Sequence, residues 1–428
     1  MKKNLLANSI LVALAFSAGS AAAMSTDFSM HGYVKSGVLM TKDGTRGKAL
    51  APLTYGKWRL GNEQNTKIEL LPTITMTTDD GVIARVRANI THETDCTADW
   101  NCMGENGTQW REGYVELENL SFAPGSVFWA GRRYSSSNAS NHQYDWEYIQ
   151  YNGTGGGVDK VDLGFARLDV GLYAFSPDNA GDEAWVPEDG TKIGYSEDYS
   201  LNVWLKDIAG AGLDLQVTAH TMEKAGWRPE QAESGLGFTG VYNFDGFYNL
   251  ANGYSRAVFQ YGQGLAAGDS LGKNGWGYAN SKGTKSWRFV LDGMASFGAW
   301  DVSTFAFYQD DSDYAPWQNA AKGEGEDRSL WAVGVRPYHQ ISNNFAMQYE
   351  LGYEYLDTES SDTSGGMVKA TIAPTLTFSQ GFWGRPQIRF FATYAKWDKE
   401  INGRLDESYS RDGNTDTLNF GVQGEVWF

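Results

Sequence analysis

From Phe28 to Phe428, apolar and polar positions alternate with the two-residue period of a β-strand. In "MHGYVKSGVLM", Met30, Gly32, Val34, Ser36 and Val38 share one face, while His31, Tyr33 and Lys35 take the other. In "GVIARVRANIT", Val82, Ala84, Val86, Ala88 and Ile90 face away from Arg85, Arg87 and Asn89. "FAMQYELGYEY" and "GRPQIRFFATYA" repeat the pattern, with Gln348, Glu350 and Glu354, then Arg385, Gln387, Arg389 and Thr393, on the polar side. Charges confined to one face suit a strand between lipid and an aqueous lumen, because only outward residues of a barrel wall meet hydrocarbon. A soluble β-sandwich also alternates, but its polar face looks outward. "SFAPGS" and "QISNNF" predict tight turns, and the polar stretches 177–197, 310–328 and 402–416 predict large loops. The last strand, "FGVQGEVWF", puts Phe428 on its apolar face and Trp427 with Gln423 and Glu425 on its polar face.

The first residues explain how such strands reach a membrane. "MKKNLLANSILVALAFSAGSAAAM" has two lysines, an apolar stretch and a run of small residues, so residues 1–23 read as a secretory signal cleaved after Ala23. After Ala23 no window approaches the ~20 apolar residues of a spanning helix. High Gly 51, Tyr 23, Trp 16 and Phe 21, with no linker-like break, predict one domain over residues 24–428. Its expected fold is all-β, a transmembrane antiparallel β-barrel with short periplasmic turns and long extracellular loops. A net charge of −17 argues against nucleic acid as a partner. The acidic stretches read as solvated loops; cation binding by Asp310, Asp311 and Asp313 is the alternative, though their spacing is not that of an EF-hand. Cys96 and Cys102 are expected to form a disulfide in an oxidising compartment, stiffening a loop that carries Trp100. No metal or cofactor is implied.

The blocks "HGYVKSG", "WRLGNE", "FWAGRRY", "VDLGFARL", "VGVRPYH", "RPQIRFFATYAKWD" and the terminal "GEVWF", in this order, resemble the maltoporin family. The resemblance covers nearly all of the mature chain and is loose from about Gly181 to Gly240. It implies a homotrimer of barrels with about 18 strands, set among outer-membrane lipid and lipopolysaccharide. Linear sugars would move along a lumenal slide of aromatics beside an ionic track. Tyr33, Tyr254 (where the family has a phenylalanine), Trp383 and Trp427 match the slide positions, and Trp100 resembles the aromatic that a neighbouring subunit lends. Lys35 (an arginine in the family), Arg59, Glu69, Arg111 and Asp145 match the track. Alternation supports the slide independently, since Tyr33 has the parity of Lys35, Tyr254 that of Arg256, Trp383 that of Arg385, and Trp427 that of Glu425. Pyranose rings pack their flat C–H faces on aromatic planes while their hydroxyls seek charged partners, which gives stepwise, weak, multi-site passage.

Several positions depart from the family. Arg111 has the parity of Gly113, Val115 and Leu117, so it lies above the membrane band or a bulge intervenes. Lys67 replaces a slide tyrosine and shares a face with Glu69; Ser137 to Ala139 replace charged residues, and Glu147 lies about where a constriction tyrosine would be. Trp397 is a candidate replacement aromatic. The resemblance favours maltose and maltodextrins; sucrose, a β-glucoside or general diffusion are the alternatives. A barrel enzyme would need a nucleophile and base, for which Ser140 with His142 is the only close pair of interest, without a known nucleophile motif. Function as a non-enzymatic channel is therefore expected.

Overall fold

The computed structural model describes residues 24–53, 55–95, 108–135, 140–175, 197–223, 230–315, 325–359, 363–410 and 413–428. They form a closed barrel of 18 antiparallel strands, in which chain neighbours pair with one another. Closure brings the first strand, Met24–Thr41, against the last, Asp416–Trp427, from Tyr33 opposite Trp427 to Thr41 opposite Asn419. Phe428 extends that ladder: its amide donates to the Gly32 carbonyl at 3.1 Å, and its own carbonyl accepts from Gly32 at 2.9 Å. The outward Phe428 ring crosses Gly32, where a Cβ would lie 2.4 Å from it. A terminal aromatic and a glycine thus close the barrel together.

Burial is inverted relative to a water-soluble fold. The lumenal Lys369 and Arg336 are 0% and 1% exposed, whereas the outward Leu351 and Phe390 are 53% and 50% exposed. Outward aromatics pair near both rims, Trp287 with Tyr308 and Trp331 with Tyr353 at one, Phe122 with Phe128 and Tyr242 with Phe244 at the other. Such belts match the two membrane–water interfaces. Among the described residues no helix is long and apolar enough to cross a membrane. Short turns such as 121–122, 298–299 and 343–344 occupy one end, and long connections such as 42–65 and 265–284 the other.

One expected loop is shorter than its polarity suggests. The strands flanking 310–328 run on to Tyr314 and resume at Glu326. Asp311 faces the lumen, where its Oδ2 accepts from Arg328 Nε at 2.7 Å, whereas Asp310 lies on the opposite face of the same strand. Charge here marks the lumenal face of a strand.

Two long connections fold inward. Segment 42–65 lays Trp58 against the wall at Gly334 and Gly352, where Cβ atoms would lie 2.4 and 2.3 Å from its ring. The Leu60 amide donates to Glu350 Oε1 at 3.2 Å, and its carbonyl accepts from Lys369 Nζ at 2.5 Å. Segment 140–150 runs beside it, with Lys57 and Arg59 amides donating to the Tyr144 and Gln143 carbonyls at 2.8 and 3.0 Å. Tyr144 stacks on Phe305 at 5.1 Å and donates its hydroxyl to Glu354 at 2.7 Å. Tyr148 donates to Asp292 at 2.9 Å. Both segments bury apolar surface against one side of the wall and leave the passage on the other.

Gly352→Val places a methyl-bearing carbon inside the Trp58 ring, an overpacking of about 1–3 kcal/mol. The expected result is displacement of segment 42–65 and a larger single-channel conductance in planar bilayers, with the barrel still folded by its heat-modifiable gel mobility.

Candidate functional site

The aromatic group assembles at the short-turn end from three pieces of chain. Alternation carries Trp427 into the lumen with Glu425, and Tyr33 is its register partner on the first strand. Trp383 belongs to the turn between the strands ending at Thr377 and starting at Gln387. Strand parity therefore does not fix its direction; the turn folds it under the lumen. The Trp383 and Trp427 rings lie 6.1 Å apart at 48°. The His142 ring sits 5.5 Å from Trp383 and 5.9 Å from Trp427, and the Arg385 guanidinium lies 3.8 Å above Trp427. Trp383 and Tyr254 are 43% and 41% exposed. Tyr254 has lumenal parity beside Arg256 but makes no ring contact with the trio among the described residues.

Behind these rings lies a buried charge network. Glu425 accepts from Arg59 Nη2 at 2.7 Å, Arg385 Nε at 2.9 Å, Arg389 Nη2 at 2.5 Å and the Tyr33 hydroxyl at 2.9 Å. Arg59 Nε also donates to Glu63 Oε2 at 2.8 Å, and Glu63 accepts from Lys35 and from Gln423 Nε2. Burial pushes the Glu63 carboxyl up, but Arg59, Lys35 and Lys57 outweigh it and hold the group well below the usual carboxylate range. Burial and the Arg59 charge hold His142 well below its ordinary range, so its ring is neutral at pH 7. Its two ring nitrogens face guanidinium groups, Nδ1 at 2.6 Å from Arg59 Nη1 and Nε2 at 3.4 Å from Arg385 Nη2.

A second, more open set lines the passage. Lys67 Nζ and Arg111 Nη1 meet Glu69 Oε1 at 2.9 and 2.8 Å. The Arg111 guanidinium lies 3.5 Å over the Tyr134 ring, and Tyr134 donates its hydroxyl to Glu147. Arg111 reaches the lumen because it is the extra residue of a β-bulge: Asn89 pairs with Glu112, and Ile90 with Trp110. That resolves its outward parity. Asp145 pairs with Lys57; burial pushes its carboxyl up, but the Lys57 and Arg59 charges bring it below its usual range.

The sequence-predicted residues thus separate into two environments. Lys35 and Arg59 are 4% and 5% exposed and lie within the network that anchors segment 42–65. Lys67, Glu69, Arg111 and Asp145 are only half-buried and border the passage. Trp397 is no substitute slide aromatic: it is buried against Tyr409 and donates to Asn402 at 2.6 Å, anchoring the 398–415 connection. Glu63 and Tyr134 carry no signal in the sequence, and His142 stood out there only beside Ser140 and not as a neighbour of the slide aromatics. Parity signalled Glu425, Arg385 and Arg389, but not their convergence. Trp100, Cys96, Cys102, Ser137 to Ala139 and residues 1–23 lie outside the described residues.

The depressed Glu63 group sets a pH dependence. A lowered folded-state value contributes stability above the ordinary glutamate range, and that contribution is lost as pH falls through the depressed value. Conductance is therefore expected to stay level from about pH 7 to about pH 4.5 and to rise only in stronger acid. Glu63→Gln is expected to show the raised conductance throughout, read by single-channel recording across the pH series.

A solved porin shares the fold, and others match over most of their length. A double variant of OccD1 (OprD) matches over 94% of this chain and 95% of its own, at 9% identity and a TM-score of 0.50. OccD3 (OpdP) of Pseudomonas aeruginosa matches over 96% and 94%, at 11% identity and a TM-score of 0.49. An anion-selective porin from Comamonas acidovorans matches over 94% and 100%, at 12% identity and a TM-score of 0.46. Identities this low speak to fold alone. The sequence is more specific: the family model for the LamB porin matches residues 28–428. With a closed 18-strand barrel, lipid-facing apolar residues and a charged lumen, the chain belongs to the LamB porin family of outer-membrane channels.

Proposed function

We propose that this porin passes linear oligosaccharides, maltose and maltodextrins first among them, by facilitated diffusion. Trp383, Trp427, Tyr33 and Tyr254 act as the apolar slide. Lys67, Glu69, Arg111 and Asp145 act as exchanging partners for sugar hydroxyls, while Lys35 and Arg59 hold the constriction in shape. The observation that carries this reading is the Trp383–Trp427 pair, 6.1 Å apart and bordered by Arg385. Indoles facing water gain nothing from it, whereas a pyranose C–H face on each ring and charged donors at its rim satisfy both halves of a sugar. Family and fold are those of a channel rather than an enzyme. A homotrimer in lipopolysaccharide-containing membrane, with Trp100 of each clipped loop lent to a neighbouring lumen, completes the proposal.

A second reading, passage of another oligosaccharide such as sucrose or a β-glucoside, is favoured by one residue. Lys67 stands where the family carries a slide aromatic and is held by Glu69. The nearby ring is instead Tyr134, capped by Arg111. The stretch there is polar, which suits a shorter or differently linked sugar.

Planar-bilayer recording separates these. Saturable block of ion current by maltohexaose, with the half-blocking concentration raised about tenfold in Trp427→Ala and Trp383→Ala, is the expected result. Block by sucrose or cellobiose alone moves the substrate to the second reading. Steady current with every sugar contradicts both.

A further inference from the structure

We infer that the lumen holds a second ligand station, for saccharides bearing a carboxylate or phosphate group, on the wall formed by the third to eighth barrel strands. These strands run from Ile83–Thr94 to Asp198–Ile208, away from the Trp383–Trp427 pair. A cavity of about 420 Å³ opens there, bounded by Tyr114, Tyr134, Arg167, Tyr173, Trp204 and Lys206. It adjoins a second of about 350 Å³ through Tyr114, Arg133, Asp159 and Lys160.

The charge balance of this wall opposes that of the chain. Around the two cavities six cations, Arg85, Arg87, Arg133, Lys160, Arg167 and Lys206, face four carboxylates, Glu116, Glu118, Asp159 and Asp169, and Asp207 and Asp214 border Arg167 and Lys206 on the adjoining side, in a protein of net charge −17. The attraction for anions is therefore local. Most of the carboxylates are already engaged: Arg133 meets Asp159 at 2.7 Å, Lys206 meets Asp169 at 2.7 Å, and Arg85 meets Glu118 at 2.5 Å. Arg167 has no ion pair or side-chain hydrogen bond among the described residues and is exposed on the cavity wall. An unpaired guanidinium presents a fork that fits a carboxylate or phosphate with two parallel hydrogen bonds.

A second observation points to a ligand larger than a simple ion. Trp204 is 6% exposed and borders the cavity, and its indole N–H is buried without a hydrogen-bond partner. A buried donor left unpaired is costly, and the indole that carries it borders the cavity. The Lys206 ammonium lies 4.9 Å over the same ring, placing positive charge beside the donor. Tyrosine rings and ion-paired carboxylates on the remaining walls supply apolar faces and hydroxyl acceptors. A chloride ion would meet only the cations and donors and leave the aromatic faces and acceptors unused, whereas an acidic sugar would use them together. The station lies away from the Trp383–Trp427 pair and shares only Tyr134 with the neutral-sugar path.

The test uses the intact porin in planar bilayers with trigalacturonate and glucose 6-phosphate as probes and maltohexaose as the neutral control. Saturable block by at least one anionic probe is expected, with its half-blocking concentration raised about tenfold in Arg167→Gln. Arg167→Lys is expected to keep part of that affinity, and maltohexaose block is expected to stay within about twofold in both variants. Which probe blocks distinguishes carboxylate from phosphate recognition. Absence of block by both probes, or equal block in wild type and Arg167→Gln, overturns the station. Because maltohexaose is read in the same membranes, its behaviour reports on the neutral slide separately.

Discussion

The lumen depends on one guanidinium. Arg59 divides its donors between Glu63, Glu425, Tyr33 and His142, and so joins the 42–65 segment to the first strand, the last strand and the 140–150 segment. No other side chain type offers a rigid fork of five donors that stays charged in such surroundings. Breaking a buried pair of this kind typically costs about 3–5 kcal/mol, because the remaining charges lose their partner. The cost falls on the position of the inward segments rather than on the barrel, whose 18 strands are closed by backbone pairing. Stability of the wall and shape of the pore are therefore set by different interactions.

That separation explains why so much charge is buried in a membrane protein. Lipid fixes the outer face as apolar, which leaves the inner face free to carry polar groups. An empty barrel of this width would pass any small solute. Glu350, Lys369 and Arg336 on the wall, together with Lys35 and Glu425 near closure, provide anchor points for the inward-folded segments. Trp58 and Tyr144 then fill one side with apolar volume. What remains is a narrowed passage with aromatic planes at one end and paired, half-open charges along it. Weak, repeated contacts of that kind are what rapid passage requires.

The strand faces were legible because their period is local. Lys35, Glu69, Trp427 and Glu425 fall on the lumenal side as their parity requires. Parity failed where the chain leaves the ladder. Arg111 turns inward through a bulge, and Trp383 owes its direction to a turn. The charged run 310–328 looks like loop because a lumenal face and a surface loop share the same polarity. The inward packing of segment 42–65 was not legible, since Trp58 meets Gly334 and Gly352 only through the tertiary fold, and segment 140–150 was marked as a constriction only by the family resemblance. Family resemblance matched Arg59 and Lys35 to an ionic track; the structure buries both in the network that anchors segment 42–65.

The central claim is that the Trp383–Trp427 pair and its charged border form a path for a sugar chain. The most direct measurement is an experimental structure of the porin, in lipid, soaked with maltohexaose. The account predicts pyranose rings lying flat on Trp427 and Trp383, with hydroxyls in hydrogen-bond reach of Arg385 and the sugar chain directed toward Arg111 and Glu69. Sugar bound elsewhere in the lumen with both indoles bare, or a lumen holding only water at saturating sugar, would contradict it.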